Sequence, residues 1–136
     1  EAYPNIRSEV KYGQNSRADL LLEGPDGRVF VEVKSVTLCQ DDGQGLFPDT
    51  VSDRGRKHLR ELAAIRDETT RAVMFFCVLH EGIDRVSAAG QIDSRYRDTL
   101  LEVMEQGVEV LAWRANVTPE GIIMNRPLPF SVDPNE

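Results

Sequence analysis

The 136-residue sequence predicts an α/β fold, a mixed central sheet flanked by helices, and three observations predict it. Short apolar and β-branched runs separated by turn residues fill the chain up to Lys34, as in a strand meander. Two later segments repeat apolar residues at three- and four-residue spacing, the period of a helix packed on one side. Each is followed by an unbroken apolar run, as expected of strands buried on both faces. Hydrophobic residues make up 40% of the chain and charged residues 29%, a balance that suits one folded core.

The elements follow in order. Residues 6–12 alternate Ile6, Ser8, Val10 and Tyr12 against Arg7, Glu9 and Lys11, a strand period, and residues 13–16 form a turn. Residues 19–22 read as a short strand, Gly24-Pro25-Asp26-Gly27 as a turn, and residues 29–34 as the third strand of the meander. Residues 40–49 are expected to be a polar loop. Ser52 or Asp53 would then cap a helix over 54–66, with Leu59, Leu62 and Ala63 on one side and Arg54, Lys57, His58 and Glu61 on another. Residues 72–79 form a strand buried on both faces. A second amphipathic helix spans 95–106 through Tyr96, Leu100, Leu101, Val103 and Met104, and Gly107 ends it. Residues 108–113 and 121–124 add a strand and an edge strand, and the Pro-rich tail over 126–136 is expected to be loosely held. No repeat or shift in composition divides the chain.

Composition also bounds function. No run approaches the eighteen or so apolar residues of a membrane span, and no basic stretch followed by an apolar run opens the chain. Cys39 and Cys77 are too few to staple a secreted fold, Cys77 lies within an apolar run, and a reducing cytoplasm is the expected setting. The net charge of −7 weighs against strong phosphate binding, unless the charge is segregated or a metal offsets some of the acids.

The segment with chemical content is Asp19, a hairpin, then Glu32-Val33-Lys34. Glu32 and Lys34 share a strand face, because side chains alternate. If Glu23 opposes Arg28 across the turn, counting outward brings Asp19 opposite Glu32, where Cβ atoms lie about 4.5–5.5 Å apart. Two carboxylates so close repel unless a proton or a cation joins them. Without His or Cys the set favours Mg²⁺ or Mn²⁺ over zinc. Phosphodiester hydrolysis uses that arrangement, with a lysine to orient the water. A solvated sheet face with Asp19 beside a turn fits the same spacing. Glu9 on the first strand is a further candidate ligand, or an edge residue paired with Lys11. Arg54, Lys57 and His58 form either a phosphate-contacting helix face or an ordinary wet one. His58 could also shuttle a proton. Cys39 and His80 are too isolated in the chain for a zinc site or a Cys–His nucleophile.

Several segments together resemble a known family. They are Ser8-Glu9-Val10-Lys11-Tyr12-Gly13, Ser16-Arg17-Ala18-Asp19, Val31-Glu32-Val33-Lys34-Ser35-Val36-Thr37-Leu38 and Gly45-Leu46-Phe47-Pro48-Asp49, with Arg54-Gly55-Arg56-Lys57-His58-Leu59-Arg60-Glu61-Leu62 and Gly107-Val108-Glu109-Val110-Leu111-Ala112 after them. In this order they closely resemble the SfsA family, the sugar fermentation stimulation proteins, over almost the whole chain. The resemblance implies a restriction-endonuclease-like, PD-(D/E)xK core that binds DNA and cuts it with Mg²⁺ or Mn²⁺. Asp19 and Glu32 would be the metal ligands, the Val33 carbonyl a further oxygen ligand, and Lys34 the catalytic lysine. Arg17, Arg54, Lys57 and His58 would meet nucleic acid. Ala18 stands where the superfamily pattern has proline, which leaves the acid in place. Family members carry an OB-like domain ahead of this region, so the expectation is a single nuclease-like domain over residues 1–136 without it. OB folds grip single strands through basic grooves, which accords with an acidic balance here. The expected function is a DNA-binding protein with a Mg²⁺-dependent phosphodiester hydrolase core. The alternatives are a non-catalytic DNA-binding module that regulates sugar-metabolism genes, and an assembly domain whose acidic surface meets a protein partner.

Overall fold

The structure, a computed structural model, describes residues 5–12, 16–51 and 53–133. Strands β1 (Asn5–Tyr12), β2 (Ser16–Gly24) and β3 (Gly27–Val36) form the expected meander. Two short strands, β4 (Leu38–Cys39) and β5 (Gln44–Phe47), lead to helix α1 (Asp53–Ala64) and strand β6 (Thr70–Val78). Then come β7 (Arg85–Ala88), α2 (Ser94–Glu105), β8 (Glu109–Thr118), β9 (Gly121–Leu128) and β10 (Phe130–Ser131). A six-stranded sheet has the order β1-β2-β3-β6-β8-β9, and a four-stranded sheet the order β10-β7-β5-β4. The larger sheet is mixed: β3, β6 and β8 run parallel, while β1, β2 and β9 pair antiparallel to their neighbours.

Side-chain alternation sorts the larger sheet into two faces. Phe30 and Val36 of β3 and Ala72, Met74, Phe76 and Val78 of β6 join one core with Leu59 and Leu62 of α1 and Tyr96, Leu100 and Val103 of α2. Val29, Val31 and Val73 gather on the opposite face with Leu20, Leu22, Val33 and Phe75. Both helices thus stand on one side of the sheet, together with the second sheet, and among the described residues neither core residue nor packed neighbour on the other face comes from a helix. That placement decides the environment of every residue sharing the Phe30 face.

Helix limits follow local chemistry. The carboxylate of Asp93 accepts from the amide of Tyr96 at 3.0 Å and caps α2, and Gly107 ends it at a positive φ of 104°. Asp53, in the first turn of α1, pairs with Arg56 at 2.6 Å, and Ser52 lies outside the described residues.

Two expectations are corrected. The polar loop over 40–49 contains β5, and β7 pairs with it in parallel. Buried Gln44 donates to buried Ser87 at 3.0 Å, so a polar side chain occupies a core position by finding a polar partner. Over residues 126–133 the tail is not loose: β9 runs to Leu128, which is buried, and the Phe130 ring stacks on Phe76 at 5.4 Å. Asp133 accepts from Arg97 Nε at 2.7 Å.

Candidate metal and catalytic site

Glu32 lies on β3 between Phe30 and Lys34, on the face that packs under the helices, and is only 4% exposed. Lys34, two residues on, brings Nζ within 3.3 Å of Glu32 Oε1. His58 of α1 brings Nδ1 within 3.8 Å of the same oxygen. Glu32 Oε2 is buried with no hydrogen-bond partner among the described residues. Burial pushes the Glu32 carboxyl above its usual range; Lys34 opposes that shift, and the nearby charge of Asp19 adds to it.

Asp19 arrives by the register the sequence count predicts. Glu23 opposes Arg28 and the ladder runs back to Leu20 opposite Val31, which delivers Asp19 beside Glu32. Its Oδ2 accepts from the Val33 amide at 2.7 Å, so the acid is tied to the backbone of the next residue along from Glu32. Asp19, Glu32, Val33 and Lys34 therefore stand together, drawn from two adjacent strands.

The polar face of α1 divides. The Lys57 side chain is 54% exposed and reaches Glu61 Oε1 at 3.9 Å, while the side chains of His58 and Glu61 are 14% and 17% exposed. Arg54 is exposed, yet close enough for its charge to act on both Glu32 and His58. Burial lowers the pKa of His58, the cations Lys34 and Arg54 lower it further, and Glu61 opposes them. Glu9 sits on β1 between Ser8 and Val10, whose partners are Leu20 and Ala18, so its backbone runs alongside Asp19. The backbone of Arg17 pairs with Lys11, and the side chains of Glu9 and Arg17 lie outside the described residues.

Tyr96 is the site neighbour that sequence reasoning assigned only to the core. Its hydroxyl is wholly buried without a partner among the described residues, and its pKa is pushed up by burial and then by the charge of Glu32. A tyrosine at helical spacing carries no signal that separates this position from ordinary packing. Cys39 and His80 prove to be neighbours: a Cβ added at Gly82 would meet His80 Cε1 at 2.9 Å and Cys39 Sγ at 3.7 Å.

The donors fit a hard cation. Among the described residues no three His, Cys, Asp or Glu side chains converge on one point, so Asp19 and Glu32 would need a backbone oxygen, and the Val33 carbonyl is the candidate. The unpartnered Glu32 Oε2 is a buried anionic acceptor with no donor, which a cation would satisfy.

Comparison with known proteins gives concordant results. Residues 1–121 match the family described as SfsA, "Sugar fermentation stimulation protein RE domain". The sugar fermentation stimulation protein homolog of Marinomonas sp. (strain MWYL1) is 52% identical over 128 residues, covering 93% of this chain and 50% of that protein. The homolog of Aliivibrio salmonicida (strain LFI1238) is 49% identical over 134 residues, covering 96% and 56%. A solved structure of Pyrococcus furiosus SfsA in complex with Ca²⁺ superposes with a TM-score of 0.81 at 29% identity, over 93% of this chain and 54% of that one. The chain thus spans about half the length of the curated relatives it matches.

Proposed function

This chain belongs to the SfsA family, and from that premise we propose that it is a DNA-binding protein with a restriction-endonuclease-like, PD-(D/E)xK core that hydrolyses DNA phosphodiesters with Mg²⁺ or Mn²⁺. The observation that carries the reading is Glu32: a carboxylate 4% exposed, on a central strand, with Lys34 at one oxygen and no partner at the other. A buried charge of this kind is costly unless function retains it. The Pyrococcus furiosus relative was solved with Ca²⁺, a cation that takes oxygen ligands, as the donors here are oxygens.

In this reading Asp19, Glu32 and the Val33 carbonyl hold the cation. The chemistry a bound Mg²⁺ or Mn²⁺ supplies is neutralisation of charge on the phosphate and activation of a water. Lys34 orients the attacking water and stabilises the negative charge that develops. Arg54 and Lys57, exposed beside the acids, meet the phosphates flanking the scissile bond, and their local positive charge offsets the acidic balance of the whole chain. Glu9 and Arg17 would extend the acidic and basic sets from the β1 side. No helix among the described residues is long and apolar enough to cross a membrane. The free thiols of Cys39 and Cys77 are the basis for proposing a reducing, cytoplasmic setting.

The test is Mn²⁺ titration of the parent and Asp19→Asn, followed by cleavage of labelled DNA by the parent and Lys34→Ala. Saturable binding lost in Asp19→Asn is expected, with turnover reduced at least about 10²-fold in Lys34→Ala while that variant remains folded by circular dichroism. DNA retention without turnover in the parent, insensitive to Lys34→Ala, would leave the non-catalytic regulatory module. Metal that stays unbound even with DNA present would end the nuclease reading.

A further inference from the structure

A carboxylate that holds a cation through one oxygen has its plane oriented by what the other oxygen is bonded to. In Glu32 the two oxygens differ. Oε1 is flanked by Lys34 Nζ at 3.3 Å and His58 Nδ1 at 3.8 Å, whereas Oε2 has no hydrogen-bond partner among the described residues. Lys34 is the residue whose charge the proposed chemistry uses, so it is a poor fixed anchor for Oε1. His58 differs. Its side chain is 14% exposed, its Nδ1 is itself a buried atom without a hydrogen-bond partner among the described residues, and it projects from a helix packed on the sheet. Buried polar nitrogens are almost always hydrogen-bonded. Of the two ring nitrogens of a neutral imidazole one donates and the other accepts. The polar atom facing Nδ1 is an oxygen of Glu32, which only accepts once the carboxylate is ionised to hold a cation, so in the filled site Nδ1 is the protonated nitrogen.

We propose that His58 is a positioning residue: its Nδ1–H donates to Glu32 Oε1, closing the present 3.8 Å gap when the site is filled, and turns Oε2 toward the cation. This inference rests on the metal-binding reading of Asp19 and Glu32. It gives His58 a role distinct from that of its neighbours Arg54 and Lys57, whose exposed side chains face solvent. It also explains why a histidine suits this place on α1. The ring nitrogen is a rigid donor on a short side chain, so it fixes the orientation of the oxygen it meets.

The experiment is calorimetric titration of Mn²⁺ into the parent chain and into His58→Ala, His58→Asn and His58→Gln, with melting temperatures of the metal-free proteins alongside. An asparagine amide falls near the place of Nδ1, and a glutamine amide near that of Nε2. The Ala variant should bind Mn²⁺ about 10-fold more weakly, the loss typical of a removed outer ligand-orienting group. Asn should restore affinity to within about 3-fold of the parent, Gln should not, and the metal-free melting temperatures of Asn and Gln should agree. The ¹⁵N shifts of the imidazole in the Mg²⁺-loaded parent should show Nδ1 protonated. Parent-like affinity in His58→Ala overturns the inference and leaves the metal site standing, as does rescue by Gln but not by Asn. A parent that binds no Mn²⁺ overturns both. If the Ala variant fails to fold, the Asn and Gln pair decides alone.

Discussion

A carboxylate on a central strand, almost out of reach of water, is stable only in so far as its neighbours supply what water would have supplied. Glu32 receives one cation, Lys34, and a second carboxylate, Asp19, and burial outweighs the cation, so its pKa is raised. A raised carboxyl pKa means that the fold favours the protonated form. The stability this brings is complete below the unfolded carboxyl range and is lost as pH rises through the raised value. Wherever Glu32 is ionised it therefore weakens the metal-free protein. Glu32→Gln should melt above the parent near pH 7.5 in EDTA, and the gap should close as pH falls toward the unfolded carboxyl range. The same variant should lose the cation. Calorimetric scans across that pH range check the sign, and a parent that melts higher at every pH would show that the Lys34 pair outweighs burial.

At the scale of elements, the site depends on a hairpin that delivers Asp19 in register and on helix ends that hold α1 and α2 over β3. Gly27 closes the hairpin at φ 143°, and a Cβ there would stand 2.1 Å from the Thr69 carbonyl oxygen, which already accepts from Arg28 at 2.8 Å. Neither the conformation nor the space admits a side chain. Gly27→Ala should cost about 2 kcal/mol or more in urea denaturation, and it should weaken Mn²⁺ binding because Asp19 reaches Glu32 only through this register. Asp93 does for α2 what Gly27 does for the hairpin, capping the first turn and fixing Tyr96 beneath Glu32. Asp93→Ala should lower stability by about 1–2 kcal/mol, measured the same way. A loss below a few tenths would mean that the cap is redundant.

Across the whole molecule, the C-terminal segment behaves as part of the fold. β10 adds a strand beside β7, Phe130 stacks on Phe76 with an interplanar angle of 11°, and Phe76 pairs in register with Lys34. The packing that holds the tail is thus continuous with the strand that carries the site. Phe130→Ala should destabilise the chain by about 1–3 kcal/mol, less than a fully buried ring would, because Phe130 keeps some exposure. A loosely held tail would give a change within about 0.5 kcal/mol. Amide exchange should be slowest in β3 and β6 and faster in the outer strand β9, whose residues 123–127 are exposed.

The sequence by itself determined the meander, both helices to within a residue or two, the strands β6 and β8, the start of β9, and the meeting of Asp19 with Glu32 and Lys34. These rest on local rules: two-residue alternation, helical spacing, turn chemistry and a hairpin count. Tertiary structure alone decided that both helices lie on one face, since periodicity shows which side of an element is apolar but not which sheet face receives it. It decided too that β5 and β7 pair, because a four-residue strand carrying Gln44 is tolerated in the core only when Ser87 accepts from its amide nitrogen. The division of α1 into an outward Lys57 and an inward His58 was likewise hidden, as the roughly 100° between adjacent helix positions becomes a difference in burial only once a sheet covers one of them. Whether Glu32 is a wet surface acid or a buried one without a full complement of partners follows from that packing, for burial is a property of what lies above a side chain and no spacing along the chain records it.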